Sequence, residues 1–255
     1  MKKKIDKNLL LTIIAIVAFV IISGFTEAQK SKTLHDNIEQ QIDSAFQNPL
    51  YIGLLQYTSH PSLDAITKGI IDTLNQYGYQ DGDKIKIDFQ NAQGDQSNLN
   101  TMANRFTSNG ADLMIAIATP SALALANATN ETPIILGAIT DPEHVGLVSS
   151  NEHPGGNITG VSDMTPILKQ LELIQQIQPE VKTIGLLYSS SEDNAVLQGK
   201  LAVEMANDLG LKTVTRTVSS TNDVSQVAKQ LVSEVDAIWT PNDNIIASAF
   251  PTVVE

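Results

Sequence analysis

The residues of this sequence that are best suited to chemistry are small hydroxyls, amides and carboxylates that follow predicted strands. Groups of this kind hold a small polar ligand by hydrogen bonds. For each residue a purely structural role is the alternative, because Ser, Thr, Asn and Asp commonly cap helices. The candidate binding residues are Gln56, Tyr57, Ser59, His60, Thr119, Pro120, Ser121, Thr140, Asp141, Ser190, Ser191, Glu192, Asn194, Asp243 and Asn244.

Motifs typical of catalysis are absent from the sequence. It has no Gly-x-Ser-x-Gly, no Walker A loop and no Rossmann glycine fingerprint after the first predicted strand. Cysteine is absent and the four histidines are scattered, so a metal site has no support. We therefore predict a binding protein without a metal or a cofactor. An α/β enzyme acting on a small polar substrate remains a weaker alternative.

Three features of the candidate residues predict the chemistry of the ligand. Predicted helix N-termini at 119–121 and 190–192 offer backbone N–H groups that suit a carboxylate. Asp243, after a predicted strand, is placed to accept an α-amino group. Tyr57 offers a flat ring against which a flat side chain can lie. A ligand with a carboxylate, an α-amino group and a flat side chain is an aromatic amino acid, which is therefore the predicted ligand.

The element that positions these groups is the stretch at 112–122, which reads as a buried strand ending directly on a helix. Residues 113–118 form a continuous apolar run, the pattern of a strand that is covered on both faces. Thr119 fits a helix N-cap, with Pro120 at the first helical position. In open α/β sheets, ligands bind at such junctions.

The same order of elements occurs twice along the chain. The motif Ile-Gly-Leu-Leu at 52–55 recurs 132 residues later at 184–187, and Gly78 recurs as Gly210. A strand running into Thr-Pro occurs at 119–120 and again at 240–241. We infer two similar α/β lobes that present their strand ends to a shared cleft.

The predicted lobes span residues 49–162 and 163–255, with the first crossover around 162–165. Strands are predicted at 51–56, 84–91, 113–118, 133–139 and 158–161 in the first lobe, and at 183–188, 212–218 and 237–239 in the second. Ser62 is a candidate cap for a helix ending at Tyr77. Because the second sheet has only three predicted strands, we expect the second lobe to be incomplete in this chain and to be less stable than an extended version.

The N-terminal region predicts export. Lysines at 2–4 precede an uncharged apolar run at 9–25, so residues 1–28 are interpreted as a membrane anchor, with a cleaved signal peptide as the alternative. Residues 29–48 are interpreted as a polar linker, and the rest of the chain is expected outside the membrane. The net charge of −12 argues against nucleic acid as a partner.

Several longer motifs resemble one known family. They lie at 53–65, 91–100, 117–120, 140–142, 154–162 and 240–244. These stretches resemble the extracellular substrate-binding proteins of ABC transporters, and most closely the branch described as tryptophan- or tyrosine-type. The resemblance covers about residues 50–255 and implies a class I periplasmic-binding-protein fold, in which two Rossmann-like lobes joined by three crossovers close on a ligand. Members of this family often carry a lipid on a cysteine, which this sequence lacks, in agreement with a membrane anchor.

The resemblance also implies partners. The expected function is to capture a small amino acid, aromatic by preference, and to deliver it to an ABC permease and its ATPase. A sensor of the same fold, reporting its ligand to a membrane protein, remains an alternative. The family's last strands and final crossovers are expected beyond Glu255.

Overall fold

The fold consists of two parallel sheets with helices on their faces. The structure is a computed structural model and describes residues 48–254. The first sheet has the strand order β2-β1-β3-β4-β5. Its strands are β1 (Leu50–Gln56), β2 (Ile85–Asn91), β3 (Leu113–Ile117), β4 (Ile134–Ile139) and β5 (Ile158–Ser162), and its helices are α1 (Pro61–Gln76), α2 (Gln96–Ser108) and α3 (Thr119–Ala128).

The second sheet is smaller and has the order β7-β6-β8. Its strands are β6 (Thr183–Ser189), β7 (Lys212–Val218) and β8 (Ala237–Trp239), and the helices that accompany it are α4 (Ile167–Ile177), α5 (Asp193–Asp208), α6 (Thr221–Val232), α7 (Asn244–Ser248) and α8 (Phe250–Val254). Every strand predicted from the sequence is present, within one or two residues of its predicted bounds. The α/β fold class is therefore confirmed, whereas the lobe boundaries and the greater stability of an extended chain stay predictions.

The central strands are buried because helices cover both faces of each sheet. In β3 all five residues are buried, and its neighbours β1 and β4 are buried along most of their length. Such strands read as continuous apolar runs without alternation, which is why they could be recognised in the sequence. The same burial brings the ends of β1, β3 and β4 together at one edge.

The repeated glycine of the Ile-Gly-Leu-Leu motif has the same packing role in both sheets. A Cβ atom on Gly53 of β1 would lie 2.6 Å from the ring of Phe106 in α2. A Cβ atom on Gly185 of β6 would lie 2.8 Å from Leu231 in α6. In each lobe the glycine therefore allows a large apolar side chain of the covering helix to rest on the strand.

Two predicted helix caps are wrong. Thr119 is the first helical residue of α3, and the N-cap is Ala118, with φ 73° and ψ 154°. The N-cap of α1 is His60 and not Ser62, because the helix begins at Pro61. Proline is favoured in the first helical turn, since its fixed φ suits a helix and its missing N–H costs no hydrogen bond there.

Within residues 48–254, no helix is both long and apolar enough to cross a membrane. The predicted anchor at 1–28 and all but the last residue of the linker at 29–48 lie outside the described residues. Their assignment stays a prediction.

Candidate functional site

A cavity of about 180 Å³ lies between the carboxyl edges of the two sheets. A buried water occupies only about 10–15 Å³ of such space, so the cavity has room for a small organic molecule. The side of the first sheet contributes His60, Ser62, Leu63, Ile66, Ala118, Thr119, Ala138, Thr140 and Asp163; the other side contributes Asn194, Thr240, Pro241, Asn242, Asp243, Asn244, Ile246, Ala247 and Phe250.

Two alanines in the cavity wall have an unusual backbone conformation. Ala118 has φ 73° and Ala138 has φ 60°. A non-glycine residue with positive φ costs about 1–3 kcal/mol, and such residues cluster at ligand sites. Ala118 leads directly into α3, so its conformation places the first turn of that helix at the cavity. Free N–H groups and the helix dipole make this turn suitable for a carboxylate.

Two side-chain oxygens at the cavity are buried without a hydrogen-bond partner. Within residues 48–254, neither Oδ1 of Asp163 nor Oδ1 of Asn194 has a donor. Burial raises the pKa of the Asp163 carboxyl above its ordinary value. A buried acceptor without a partner is unfavourable by about 1–3 kcal/mol, so a ligand that donates hydrogen bonds here removes that cost.

The orientation of the Asn194 amide follows from its other contact. Its side-chain nitrogen donates to the backbone oxygen of Asn242 at 2.8 Å. A carbonyl oxygen accepts and cannot donate, so the nitrogen has to face Asn242. The oxygen of Asn194 is therefore left as an acceptor beside the cavity.

Six predicted binding residues line the cavity. They are His60, Thr119, Thr140, Asn194, Asp243 and Asn244. All six follow strands at the carboxyl edges of the two sheets, which is the location that the sequence analysis used to select them.

The predicted binding residues at the end of β1 and directly after it form hydrogen bonds within the first lobe. Tyr57 is only 5% exposed, and its hydroxyl donates to the backbone oxygen of Gly94. Its ring does not line the cavity, so the expected stacking of a ligand on Tyr57 has no support in this geometry. The side-chain amide of Gln56 donates to Asp64, and the hydroxyl of Ser59 donates to the same carboxylate. These contacts hold the loop to α1.

Three other predicted residues lie behind or beside the cavity wall. Pro120 and Ser121 are buried within α3, where Ser121 Oγ has no partner among the described residues. Asp141 accepts hydrogen bonds from the backbone of His144 and from the side chain of Asn151. Asp141 therefore stabilises a turn, which was its alternative interpretation.

The predicted group before α5 does not line the cavity either. Ser190 and Ser191 are exposed, and Glu192 is the N-cap of α5. The Glu192 carboxylate is only 1% exposed and accepts from the backbone N–H groups of Asn244 and Ile245. Glu192 thus binds the first turn of α7, and the predicted carboxylate site at 190–192 has no support.

Asp243 borders the cavity, but its carboxylate already has partners. One oxygen caps α7 by accepting from the N–H of Ile246 at 2.8 Å, and the other accepts from the N–H of Ser189. Burial raises the pKa of Asp243. Asp163 is the better acceptor for a ligand cation because one of its oxygens is free of partners among residues 48–254.

The sequence analysis missed several cavity residues. Asp163 lies in the crossover after β5, and no motif draws attention to a single aspartate there. Asn242 and Phe250 follow β8, and Phe250 contributes a phenyl ring to the cavity wall. Among the described residues, no cluster of three His, Asp or Glu side chains is arranged to hold a metal ion.

The chain is similar to several known proteins. The family model for ABC transporter substrate binding proteins matches residues 51–255. The chain is 40% identical over 250 residues to a tyrosine-binding protein of Clostridioides difficile (strain R20291), covering 98% of this chain and 71% of that protein.

Two solved structures are also similar. The ABC domain in complex with L-Trp from Streptococcus pneumonia is 52% identical, with TM-score 0.78, over 81% of this chain and 70% of that one. The ligand-free, open structure of CD0873, a substrate binding protein with adhesive properties from Clostridium difficile, is 41% identical. Its TM-score is 0.58, over 80% of this chain and 69% of that one.

Proposed function

The chain belongs to the family of ABC transporter substrate binding proteins, and on that premise we propose that it captures an aromatic amino acid in the cavity between its sheets and delivers it to a membrane permease. Its fold is that of class I periplasmic binding proteins. Two relatives of 40% and 52% identity bind tyrosine and tryptophan respectively, which supports an aromatic ligand.

The observation that carries the proposal is the pair of unpartnered acceptors at the cavity. In the proposed complex the α-ammonium group of the ligand donates to Oδ1 of Asp163 and Oδ1 of Asn194. The ligand carboxylate lies at the first turn of α3, near Thr119, where N–H groups and the helix dipole favour an anion. The side chain then lies against the apolar wall that includes Phe250.

The arrangement of the two sheets supports a ligand-binding conformation. The chain resembles the L-Trp complex with a TM-score of 0.78, but the ligand-free, open structure with only 0.58, although both relatives cover about four fifths of this chain. A difference in the angle between lobes lowers a TM-score even when each lobe matches well. We therefore interpret the present arrangement as the closed one.

The function is binding without turnover, as the relatives that support it are binding proteins. The proposed location is outside the cytoplasmic membrane, with residues 1–28 as the anchor. Protease accessibility of intact cells tests this location. Recovery of a mature form that starts near Gln29 in the medium would show instead that the segment is cleaved.

Isothermal titration calorimetry on the full chain tests the ligand. We expect binding of tryptophan, tyrosine and phenylalanine, with weaker binding of leucine and none of glutamate. Thermal unfolding gives an independent measure, because a ligand that binds only the folded state raises its stability. Absence of heat and of thermal stabilisation with all three aromatic amino acids would overturn the proposal.

A further inference from the structure

A hydrogen bond joins the two sides of the cavity. Nε2 of His60 lies 3.2 Å from Oδ1 of Asn244, although the residues are 184 positions apart. His60 precedes α1 on the first sheet, and Asn244 is the first residue of α7 on the second. Both side chains are buried, at 8% exposure each. Such a contact can form only while the two sheets are held close together.

The orientation of the Asn244 amide is determined by Glu192. The side-chain nitrogen of Asn244 donates to Oε2 of Glu192, and the backbone N–H of Asn244 lies 3.1 Å from Oε1. The ionised Glu192 carboxylate only accepts hydrogen bonds, so it orients the amide nitrogen of Asn244 towards itself. The amide oxygen therefore faces His60, whose Nε2 has to carry the hydrogen.

Glu192 and Asp243 share the first turn of α7, because Glu192 accepts from the N–H groups of Asn244 and Ile245. The helix α7 already has its own N-cap, since Asp243 accepts from the N–H of Ile246. Glu192 places a second carboxylate beside that of Asp243. Burial raises the pKa of Glu192, and repulsion from Asp243 raises it further. None of the ion pairs found within residues 48–254 offsets this charge. Hydrogen bonds from Asn244 and from the N–H of Ile245 stabilise the carboxylate instead, and the Asn244 amide that it orients faces the other lobe.

We propose that Glu192 is a positioning residue for closure of the lobes: it orients Asn244 to accept the hydrogen of His60, so that the three residues form a latch that holds the closed state. The latch rests on the proposed two-lobed binding function. Because closure retains the ligand, the latch raises ligand affinity although Glu192 does not line the cavity.

A double-mutant cycle on the full chain tests the latch. In Glu192→Gln an NH₂ group replaces one carboxylate oxygen. In either orientation of the new amide this NH₂ group faces an N–H of α7, so the side chain no longer fixes the orientation of the Asn244 amide. We expect Glu192→Gln and His60→Ala each to weaken tryptophan binding by about tenfold. The double variant should be no weaker than His60→Ala, because the latch is already lost. A purely structural Glu192 would give penalties that add.

A control variant removes another carboxylate that accepts from two backbone N–H groups. Asp236 accepts from the N–H groups of Lys182 and Thr183, away from the cavity. Asp236→Asn should lower stability slightly and leave tryptophan affinity unchanged. Equal loss of affinity in Asp236→Asn and Glu192→Gln would contradict the latch, since the loss of any carboxylate that binds backbone N–H groups would then have the same effect.

A second readout does not depend on the ligand. Since the sequence has no cysteine, Asn100→Cys and Glu204→Cys provide one spin label on each lobe. In ligand-free protein we expect longer inter-label distances, measured by pulsed electron paramagnetic resonance, in Glu192→Gln and in Asn244→Ala than in the parent. Unchanged distances in both variants would overturn the latch. Failure of aromatic amino acids to bind would overturn only the proposed ligand, because the distances are measured without it.

Discussion

The side-chain nitrogen of Asn242 lies 3.0 Å from the backbone oxygen of Asp163, and this contact joins the loop after β8 to the crossover after β5. The two residues are 79 positions apart in the chain. The contact fixes the backbone of Asp163, whose carboxyl group lines the cavity with one oxygen unpartnered within the described part of the chain. Together with the hydrogen bond from the Asp163 N–H to the backbone oxygen of Ile139, it holds this isolated aspartate at the candidate site.

Replacing Asp163 tests its role as the acceptor of the ligand ammonium group. Removing one partner of a desolvated charge pair costs about 2–5 kcal/mol. We expect Asp163→Asn to weaken tryptophan binding by about one to three orders of magnitude, at about 1.4 kcal/mol per tenfold. Calorimetric titration of the variant measures this loss directly.

Two further aspartates serve as comparisons for that prediction. Asp141 does not line the cavity, so Asp141→Asn should leave the affinity unchanged. Asp243→Asn should have its main effect on stability, because its carboxylate is occupied by Ile246 and Ser189. A larger loss of affinity in Asp243→Asn than in Asp163→Asn would restore Asp243 as the ammonium acceptor and reject Asp163.

The stability of the protein should depend on pH through Glu192. Burial, reinforced by Asp243, raises the pKa of Glu192 from 4.5 to about 7. Between these values the folded state binds more protons than the unfolded state, so stability is greatest below the lower value and falls as pH rises towards the higher one. We expect the decrease in the free energy of unfolding between about pH 5 and about pH 8 to be smaller in Glu192→Gln than in the parent.

Urea unfolding at several pH values measures this difference. Other carboxyl groups also titrate, among them Asp88 and Asp236, whose pKa values are lowered by hydrogen-bond donors. Because these groups are common to both proteins, the comparison with Glu192→Gln reports the titration of Glu192 together with its effect on the neighbouring Asp243. Parallel stability curves for the two proteins would show that Glu192 has no raised pKa in the folded state.

The fold was predictable from the sequence because buried parallel strands leave a strong signal. The run at 113–118 and the repeated Ile-Gly-Leu-Leu motif marked the central strands, and their ends marked one edge of each sheet. Six of the candidate residues line the cavity because they follow the ends of these strands, among them Thr119 and Asn194.

The remaining site residues could not be predicted because a sequence does not show which way a loop side chain turns. Tyr57 and Gln56 lie at the end of a strand as His60 does, yet they are buried in their own lobe, where Tyr57 bonds to Gly94 and Gln56 to Asp64. Asp163 has no neighbouring motif, and its position depends on a contact with Asn242 that is distant in the chain.

The repeated strand glycine gives a test of the packing in the first lobe. A Cβ atom on Gly53 would lie 2.6 Å from the ring of Phe106, so Gly53→Ala should destabilise the protein by about 1–3 kcal/mol. Gly69 lies within α1, and a Cβ atom there would meet nothing within 4 Å, so Gly69→Ala should stabilise by up to about 1 kcal/mol. Denaturant unfolding measures both, and equal effects would contradict the close packing at Gly53.

Trp239 should report ligand binding by its fluorescence, because it is the single tryptophan of the chain and lies at the end of β8. Its Nε1 donates to Gln170 at 2.9 Å, and the next two residues, Thr240 and Pro241, line the cavity. Closure on phenylalanine, which does not emit in the same range, should therefore change the Trp239 emission. Trp239→Phe should abolish the signal and keep the calorimetric affinity. It should lower the stability by more than the about 0.5–1.5 kcal/mol of the lost Gln170 hydrogen bond, because the smaller ring also leaves a gap among buried neighbours. Calorimetric binding without any change in emission would show that the surroundings of Trp239 do not change when the ligand binds.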